Sequence, residues 1–417
     1  MRVVARRSFG TAQPAGVRRH RPDYWLLVIS AALIAMGLIV VYSISPGLMV
    51  EKGVGEFYFV YKQLIAVGLG LVAFLITANL PLKVWERLQT PLLISAALSV
   101  VAVRVFGEEV NGAYRWIHIG GLSFQAVELI KFALLIWLAG FLVARMRAGL
   151  MNDFKQTFRP LLIALGILAF AILGLQSDLG STGVVVLMMA AMAFVAGLPM
   201  RNIMLIGLGI LLLLGVAVAT SEYRQHRLAT YLNPTADCLD TGYQVCQALV
   251  AVGSGGMTGL GLGNSVQAFG YLPEAEHDSI FAIYAEKFGF IGVTILLGLF
   301  LAFFARIKRV MERAPDDYSR LAVVGIFTWL AVQAVMNIGA MLGVLPLKGI
   351  TLPLISQGGS SVVFVMALIG IVFQISRYTL YSAPRQTEGA TRRVSYENIG
   401  DGRRVRGAYH ANPGSRA

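Results

Sequence analysis

Long, nearly continuous apolar stretches recur along this 417-residue chain. Each is about 18 to 25 residues long, the length of helix that crosses roughly 30 Å of hydrocarbon. Hydrophobic residues make up 57% of the chain and charged residues only 14%, a balance outside the range of soluble globular proteins. The sequence therefore predicts an all-α polytopic membrane protein with ten transmembrane helices. The ten apolar windows lie at 24–44, 59–79, 87–106, 126–145, 160–176, 181–198, 203–220, 279–304, 319–342 and 359–378.

Arginine is concentrated in the two terminal segments. Six arginines lie within residues 1–23 and seven within residues 381–417. Basic residues accumulate on the cytoplasmic side of a membrane, so both termini are expected there, which requires an even number of crossings. We expect a basic cytoplasmic tail over 1–23, a membrane domain over 24–380 and a disordered cytoplasmic tail over 381–417. The net charge of +13 then reflects topology and does not indicate nucleic-acid binding.

The same topology places three polar connections outside the cell, at 106–131, 221–278 and 343–364. The second connection, between the seventh and eighth windows, is too long for a tight turn and predicts a large, partly helical, re-entrant or surface-lying external loop. It contains Cys238 and Cys246, which are the only cysteines. Spacing leaves two possibilities open, a small disulfide loop or two buried apolar thiols.

The charged residues inside the apolar windows include Glu128, Lys131, Glu286 and Lys287. Each costs about 2.5 to 3.5 kcal/mol at the centre of a membrane helix, so we expect them to face a protein-lined cavity. Glu128 and Lys131 share one helical face and could also be an ion pair that only tethers helices. Glu286 and Lys287 point about 100° apart, so each needs its own partner.

An acidic cluster precedes the eighth window in the stretch "GYLPEAEHDSIF", which contains Glu274, Glu276, His277 and Asp278. Position alone allows Asp278 to be the N-cap of the following helix. The neighbouring run "GSGGMTGLGLGNS" has neither the spacing nor the lysine of a phosphate-binding loop. The five histidines show no metal-ligand spacing, so a structural zinc ion is not expected.

Several blocks of the chain resemble signature blocks of the SEDS family (shape, elongation, division and sporulation). They are "NGAYRWIHIGGLSFQAVELIK", "QSDLGSTGVV", "QHRLATYLNP", "GYQVCQALVAVGSGGMTGLGLGNSVQAFGYLPEAEHDSIFAI" and "LPLKGITLPLISQGGSS". The resemblance covers nearly all ten windows. The segments "FGYLPEA" and "LPLKGITLPLIS" are more similar to the division members than to the elongation members.

The resemblance implies a peptidoglycan glycosyltransferase that polymerises lipid II, an undecaprenyl-pyrophosphate-linked substrate, into glycan strands. The family works with a class B penicillin-binding protein transpeptidase. For this chain we therefore expect multi-pass insertion in the bacterial inner membrane at the division septum. Other division membrane proteins and membrane lipids are expected partners.

The resemblance also assigns roles to individual residues. Asp278 matches the family's essential aspartate and is expected to act as general base. Arg115 and Lys131 match cationic positions that bind the pyrophosphate, and Glu128 would orient Lys131 or line the cavity. Further cavity or backbone-donor positions are expected at Glu274, Ser356, Gly358, Gly359 and Ser360, although these glycines could instead permit close helix approach.

The chain departs from the family pattern beside the essential aspartate. Glu276-His277 replaces the usual His-Thr, and Lys287 replaces the second residue of a Glu-Glu pair. These changes leave open whether a divalent cation, Mg²⁺ or Mn²⁺, binds here.

Two other functional classes remain as alternatives. A flippase or transporter of lipid-linked oligosaccharide would also place charges inside the membrane. A non-catalytic division scaffold predicts instead that substitution of Asp278 is harmless. Polymerisation in detergent separates the enzyme from both.

Overall fold

The computed structural model describes residues 17–110, 113–119, 122–176, 178–219, 225, 238–240 and 242–380. The predicted disorder of the 381–417 tail lies outside the described residues, as does most of the predicted basic tail. Much of the first half of the 221–278 connection also lies outside them.

A helix coincides with each of the ten predicted windows. In chain order they are α1 Tyr24–Lys52, α2 Tyr58–Asn79, α3 Leu82–Phe106, α4 Ala126–Arg147, α5 Phe154–Leu175, α6 Leu179–Val195, α7 Met200–Ala219, α9 Ile280–Glu312, α10 Asp317–Met341 and α11 Gly359–Ile375. An additional helix, α8 Tyr243–Ser254, lies in the connection between α7 and α9. This confirms that the connection is partly helical.

Seven of the described helices are long and apolar enough to cross a membrane, and α6, α11 and the Met200–Ile210 part of α7 are apolar but shorter. Large apolar side chains project from several of them, including Leu98, Phe170 and Leu301, which are 63%, 68% and 72% exposed. Exposed apolar surface of this kind is unfavourable in water and matches the hydrocarbon of a bilayer. The fold is therefore that of a multi-pass membrane protein.

Two helices continue well past the predicted windows. Helix α1 was predicted to end at residue 44 and runs to Lys52, where Gly53 caps it in the left-handed region with φ 64°. Helix α9 was predicted to end at 304 and runs to Glu312. Hydropathy locates the hydrocarbon boundary, whereas backbone hydrogen bonding lets a helix continue beyond it until a terminating residue.

Two small sheets correct the purely helical prediction. Strands β2 Glu108–Val110, β3 Ala113–Ile119 and β4 Leu122–Gln125 form an antiparallel sheet in the order β2-β3-β4. The sequence does contain hairpin signals here, Asn111-Gly112 and Gly120-Gly121, between residues suited to strands. Strand β1 Val17–Arg19 pairs with β5 Tyr378–Leu380.

Close helix packing in the core depends on small residues. A Cβ atom added at Gly325 of α10 would lie 2.7 Å from Met192 Sδ of α6 and 3.1 Å from Leu135 Cδ1 of α4. A Cβ atom at Gly370 of α11 would lie 1.9 Å from Thr77 Oγ1 of α2. Close approach through small residues is the common packing mode of membrane helices.

The loop after α8 packs against a break in α9. Gly289 has φ 63° and ψ −165°, which interrupts the helical backbone. The freed carbonyls of Glu286 and Lys287 accept hydrogen bonds from Leu260 N at 2.9 Å and Gly261 N at 3.0 Å. This loop, residues 255–265, is called the glycine-rich loop below. Glycine is needed in it because its backbone lies in direct contact with the backbone of α9.

Candidate active site

Asp278 lies directly before α9 and is 7% exposed. Ser279 occupies the N-cap position of this helix, so Asp278 does not have the capping role that position alone allowed. Asn337 of α10 donates a hydrogen bond of 2.7 Å to the Asp278 carbonyl oxygen. This bond fixes the backbone that carries the carboxylate.

The Asp278 carboxylate faces a small pocket between α10 and the segment that follows it. Gly349 has φ 64° there, and a Cβ atom added to it would lie 3.7 Å from Asp278 Oδ2. Lys348 lines the same pocket and was not singled out from the sequence, although it is the single cation of "LPLKGITLPLIS". The pocket thus combines a carboxylate and a cationic side chain.

Burial raises the pKa of Asp278 to about 7. The negative charge of Glu274 contributes to this rise in pKa, while His277 opposes it. A carboxyl group with a pKa near neutrality is matched to proton transfer at physiological pH.

Gln244 on the first turn of α8 connects this helix to the Asp278 loop. Its Nε2 donates to Ser279 Oγ at 3.0 Å and to Pro273 O at 3.4 Å, and it lies 3.5 Å from Asp278 Oδ1. The start of α8 is tethered by a disulfide between Cys238 and Cys246. Of the two possibilities left open by the sequence, the structure shows the disulfide.

A polar stripe runs along one side of α10 through Trp329, Gln333 and Asn337. Trp329 Nε1 donates to Gln333 Oε1 at 2.8 Å, and Gln333 Nε2 donates to Thr351 O at 3.0 Å. Asn337 completes the stripe with its bonds to Ile350 O and Asp278 O, both at 2.7 Å. The signal was available in the sequence, as polar residues spaced by four within an apolar window.

Glu128 and Lys131 lie at the other end of this stripe. Both are buried, and Lys131 Nζ lies 2.8 Å from Glu128 Oε1 and 4.6 Å from the Trp329 ring centre. The predicted shared face is therefore confirmed. Eight residues of helix, about 12 Å, separate Trp329 from Asn337 beside Asp278. Lys131 thus belongs to the same polar interior, with its charge already balanced by Glu128.

Arg115 extends from the β3–β4 hairpin to the segment before α6. It lies on β3 and its Nε donates to the Gln176 carbonyl oxygen at 2.8 Å, just before α6. On the first turn of α6, a Cβ atom added at Gly180 would lie 3.0 Å from Lys348 Cβ. Arg115 and Lys348 therefore both lie near the start of α6.

The Ser356 to Ser360 turn is used to connect elements. Ser356 Oγ accepts a bond from Leu352 N at 2.7 Å, and Ser360 Oγ accepts one from Gln125 N of β4 at 3.1 Å. A Cβ atom added at Gly359 would lie 3.1 Å from the Ser123 carbonyl oxygen of β4, so this glycine permits the close approach of α11 to the β3–β4 hairpin. Gly358 has an extended backbone at φ −161°. A substrate role for these four residues stays a prediction.

Three residues beside Asp278 could hold a metal ion. Glu274, Glu276 and His277 each offer a ligand atom, and these atoms lie within 4.8 Å of one another. Glu274 has a half-exposed side chain, whereas Glu276 is 1% exposed and pairs with Lys52 of α1. The sequence placed these residues together but gave no indication of their burial.

Glu286 and Lys287 have separate partners, as predicted. The Glu286 carboxylate accepts bonds from Ser265 Oγ, from Val266 N at 2.8 Å and from Gln267 N at 3.1 Å. Lys287 Nζ donates to Leu262 O at 2.8 Å. Their charges stabilise the packing of the glycine-rich loop on α9.

Comparison with known proteins agrees with this architecture. The family model described as "Cell cycle protein", of FtsW, RodA and SpoVE, matches residues 24–381. The chain is 38% identical over 365 residues to the probable peptidoglycan glycosyltransferase FtsW of Coxiella burnetii, covering 86% of this chain and 96% of that protein. It is also 38% identical to the stage V sporulation protein E of Bacillus subtilis, covering 87% and 99%.

Solved structures give the same result. A chain of a peptidoglycan synthase complex that coordinates polymerization and crosslinking superposes with a TM-score of 0.73 at 30% identity, covering 85% of this chain and 98% of that one. The rod shape determining protein RodA of Thermus thermophilus superposes with a TM-score of 0.61 at 29% identity, covering 85% and 97%. The chain belongs to the FtsW/RodA/SpoVE family of cell cycle proteins, the SEDS family.

Proposed function

We propose that this chain is a peptidoglycan glycosyltransferase of the FtsW type, which polymerises lipid II into glycan strands during septal cell-wall synthesis. The observation that carries the proposal is the buried Asp278 carboxylate, held in a pocket that also contains Lys348. The names of the relatives, probable peptidoglycan glycosyltransferases, point to the same activity.

In the proposed reaction, the 4-hydroxyl oxygen of the acceptor sugar attacks the anomeric carbon of the donor. The new bond forms as the bond from that carbon to the pyrophosphate oxygen breaks, and the anomeric configuration inverts. Asp278 accepts the hydroxyl proton, and undecaprenyl pyrophosphate leaves with the bonding electron pair. Catalysis requires a base at the attacking oxygen and cations at the leaving group.

Arg115 and Lys348 are best placed to stabilise the departing pyrophosphate. Lys348 lines the Asp278 pocket, and Arg115 on β3 donates a hydrogen bond to the Gln176 carbonyl oxygen in the segment before α6. An arginine binds phosphate oxygens through its planar fork, and a lysine through its compact charge. Lys131 was predicted from the resemblance for this role. Its ammonium group contacts Glu128 and Trp329, so we assign it to the polar interior that supports the site.

The proposal includes ten membrane crossings with both termini in the cytoplasm. Ten helices coincide with the apolar windows, and basic residues flank the cytoplasmic ends expected from this orientation. Asp278, the hairpin and the segment after α10 then lie together on the external side, where the sugars of lipid II are polymerised. The lipid tails stay in the bilayer.

The proposed partner is a class B penicillin-binding protein transpeptidase, with other division membrane proteins and septal localisation. The similarity to a chain of a synthase complex that coordinates polymerization and crosslinking supports a partner of this kind. A transporter is less well supported, because Glu286 and Lys287 already have hydrogen-bonding partners within the fold.

The test is glycan polymerisation from purified lipid II, with the chain co-purified with its transpeptidase, whose own catalytic serine is blocked. We expect Asp278→Asn to lower the rate by about 10²-fold to 10⁴-fold, the usual contribution of a positioned base. Asp316→Asn is the matched control, because Asp316 caps α10 and an asparagine caps equally well. Equal rates for wild type and Asp278→Asn would exclude the base assignment, and an inactive wild-type complex would favour the transporter or scaffold.

A further inference from the structure

The part of α1 that continues beyond its predicted apolar window, residues 45–52, ends beside the loop that carries Asp278. We call it the α1 extension. We propose that Lys52, at the end of this extension, is a positioning residue for Asp278 and acts through an ion pair with Glu276. This inference rests on the proposed function, because it assigns Lys52 to the same reaction. What the extension contributes is a fixed cation beside the loop that carries the base.

Glu276 is a buried acid whose charge is balanced by Lys52. Its side chain is 1% exposed, and its Oε1 atom pairs with Lys52 Nζ. His277 Nε2 lies 3.8 Å from the same oxygen. The second carboxylate oxygen, Oε2, is buried and has no hydrogen-bonding partner among the described residues. A buried carboxylate with so few donors depends on its cation, because without it the charge is left uncompensated.

Glu276 and Asp278 belong to one tight turn before α9. The Glu274 carbonyl oxygen accepts hydrogen bonds from His277 N at 3.0 Å and from Ser279 N at 3.2 Å. Glu274 has φ 54°, a left-handed conformation that is uncommon for residues other than glycine. Because these bonds close the turn on itself, holding the side chain of Glu276 also holds the backbone that carries the Asp278 carboxylate.

Lys52 is carried by a backbone that is itself held in place. A Cβ atom added at Gly47 would lie 2.6 Å from the Ala268 carbonyl oxygen, so the α1 extension is in direct contact with the connection between α7 and α9. The Lys52 ammonium group also lies 5.5 Å from the ring centre of Phe59 on α2. The lysine therefore offers the turn a fixed point of attachment.

Lys52 adds a charged support to several uncharged ones. Gln244 of α8, Asn337 of α10 and the backbone N–H of Gln357 each donate a hydrogen bond to the turn. The ion pair attaches the turn to α1 as well. A misplacement of a reacting group by about 1 Å can lower a rate about 10²-fold, so loss of this support should be visible in the rate.

The first test is polymerisation by Lys52→Met, which removes the charge and keeps a long side chain. The chain is again co-purified with its transpeptidase, whose catalytic serine is blocked. We expect kcat to fall about tenfold to 10²-fold with KM for lipid II unchanged, because the base is displaced and not the substrate. Lys52→Arg keeps the charge and should recover most of the rate. Lys308→Met is the matched control, since Lys308 pairs with Glu312 near the far end of α9, where both side chains are exposed.

Double variants distinguish positioning from a general loss of folded protein. Glu276→Gln should lower kcat about as much as Lys52→Met does, and combining the two should add little, because both remove the same ion pair. In an Asp278→Asn background, Lys52→Met should not lower the residual rate further, since the base that it positions is absent. Loss of folded protein would instead lower the rate by the same factor in both backgrounds.

The second test measures the attachment without turnover. Hydrogen–deuterium exchange of the full chain in lipid nanodiscs is followed by mass spectrometry. Lys52→Met should speed exchange in the peptide over 274–279 at least about tenfold, because the bonds from His277 N and Ser279 N open once the turn is released. Peptides from α10 should exchange as in wild type, and Lys308→Met should change neither. Faster exchange combined with an inactive wild-type complex would overturn the polymerase assignment and leave the attachment established.

Either an unchanged kcat or an unchanged exchange rate in Lys52→Met would overturn the proposal. A loss of rate in Lys52→Arg as large as in Lys52→Met would also overturn it, as would losses that multiply in the double variant with Glu276→Gln. A lower kcat with unchanged KM, recovery by arginine and faster exchange confined to the turn would establish Lys52 as a positioning residue.

Discussion

Two acidic residues near the start of α9, Asp278 and Glu286, have opposite surroundings. Glu286 is fully buried and its carboxylate accepts a hydroxyl bond and two backbone N–H bonds. Asp278 is almost as buried, but its carboxylate has Gln244 at 3.5 Å and the negative charge of Glu274 nearby. The carboxylate of Glu286 is well supplied with hydrogen-bond donors, whereas that of Asp278 is not.

The difference separates a structural acid from a reactive one. A satisfied buried carboxylate stabilises the elements that it joins, here the glycine-rich loop and α9. An acid whose carboxylate has few hydrogen-bond donors can accept a proton readily. Burying such a group lowers the stability of the fold, and the surrounding contacts must offset that loss. Four changes test this comparison.

The largest expected effect is a separation of activity from stability at Asp278. Asp278→Asn should lower polymerisation by about 10²-fold or more while leaving the unfolding temperature unchanged or higher, because it removes a buried, poorly satisfied carboxylate. Thermal unfolding of the purified variant and wild type in the same detergent measures this. A large fall in unfolding temperature would show that Asp278 is instead a structural residue.

At Glu286 we expect the reverse. Glu286→Ala should destabilise the fold by about 3 to 5 kcal/mol, since one hydroxyl and two backbone amides lose their buried acceptor. Glu286→Gln should recover part of that loss. Exposed Glu312, which lies near Lys308 one turn away, provides the control, and its change to Gln should have little effect. An equally stable Glu286→Ala protein would contradict the structural assignment.

The glycine-rich loop can be tested with two matched glycines. Gly259 has φ 83° and an added Cβ would lie 2.1 Å from Lys287 O, whereas Gly261 has φ 87° and open space. Gly261→Ala should cost about 1 to 2 kcal/mol from backbone strain alone, and Gly259→Ala at least about 1 kcal/mol more from the backbone clash. Equal unfolding temperatures for the two variants would show that the loop does not pack on α9 this closely.

The smallest expected effect is the pH dependence of the reaction. Burial and Glu274 raise the pKa of Asp278 to about 7, and a base must be unprotonated. The value of kcat/KM should therefore be constant above this pKa and fall about tenfold per pH unit below it. A pH series on the wild-type complex checks this, and a profile that stays flat down to about pH 5 would mean that the anion is better stabilised than this structure indicates.

The helices were largely predictable because hydropathy reflects the hydrocarbon that each span must cross. The windows around α2 and α4 match their helices to within a few residues. The end of α1 at Lys52 was not predicted, because a helix end depends on the capping residue and not on hydropathy. The three-stranded sheet was missed although Asn111-Gly112 and Gly120-Gly121 signal turns, because the apolar pattern around it dominated the interpretation.

The candidate site was predicted less completely. Asp278, Arg115 and the Glu128–Lys131 pair were found from the resemblance to a known family, and their spacing supported only the pair. Lys348 and the α10 stripe were not singled out. Each residue type there is common, and its importance appears only when α10, the following segment and α9 lie side by side.

The sequence by itself determined that the chain inserts in a membrane as a set of apolar helices, because composition and window length decide that partition. It also determined that Glu286 and Lys287 need separate partners, because helix geometry fixes their directions. Only the tertiary structure decided that the Glu286 carboxylate is fully hydrogen-bonded and that the Asp278 carboxylate is the reactive one. That distinction depends on desolvation and on groups contributed by distant segments, such as Gln244, Lys348 and Asn337, whose positions no local pattern specifies.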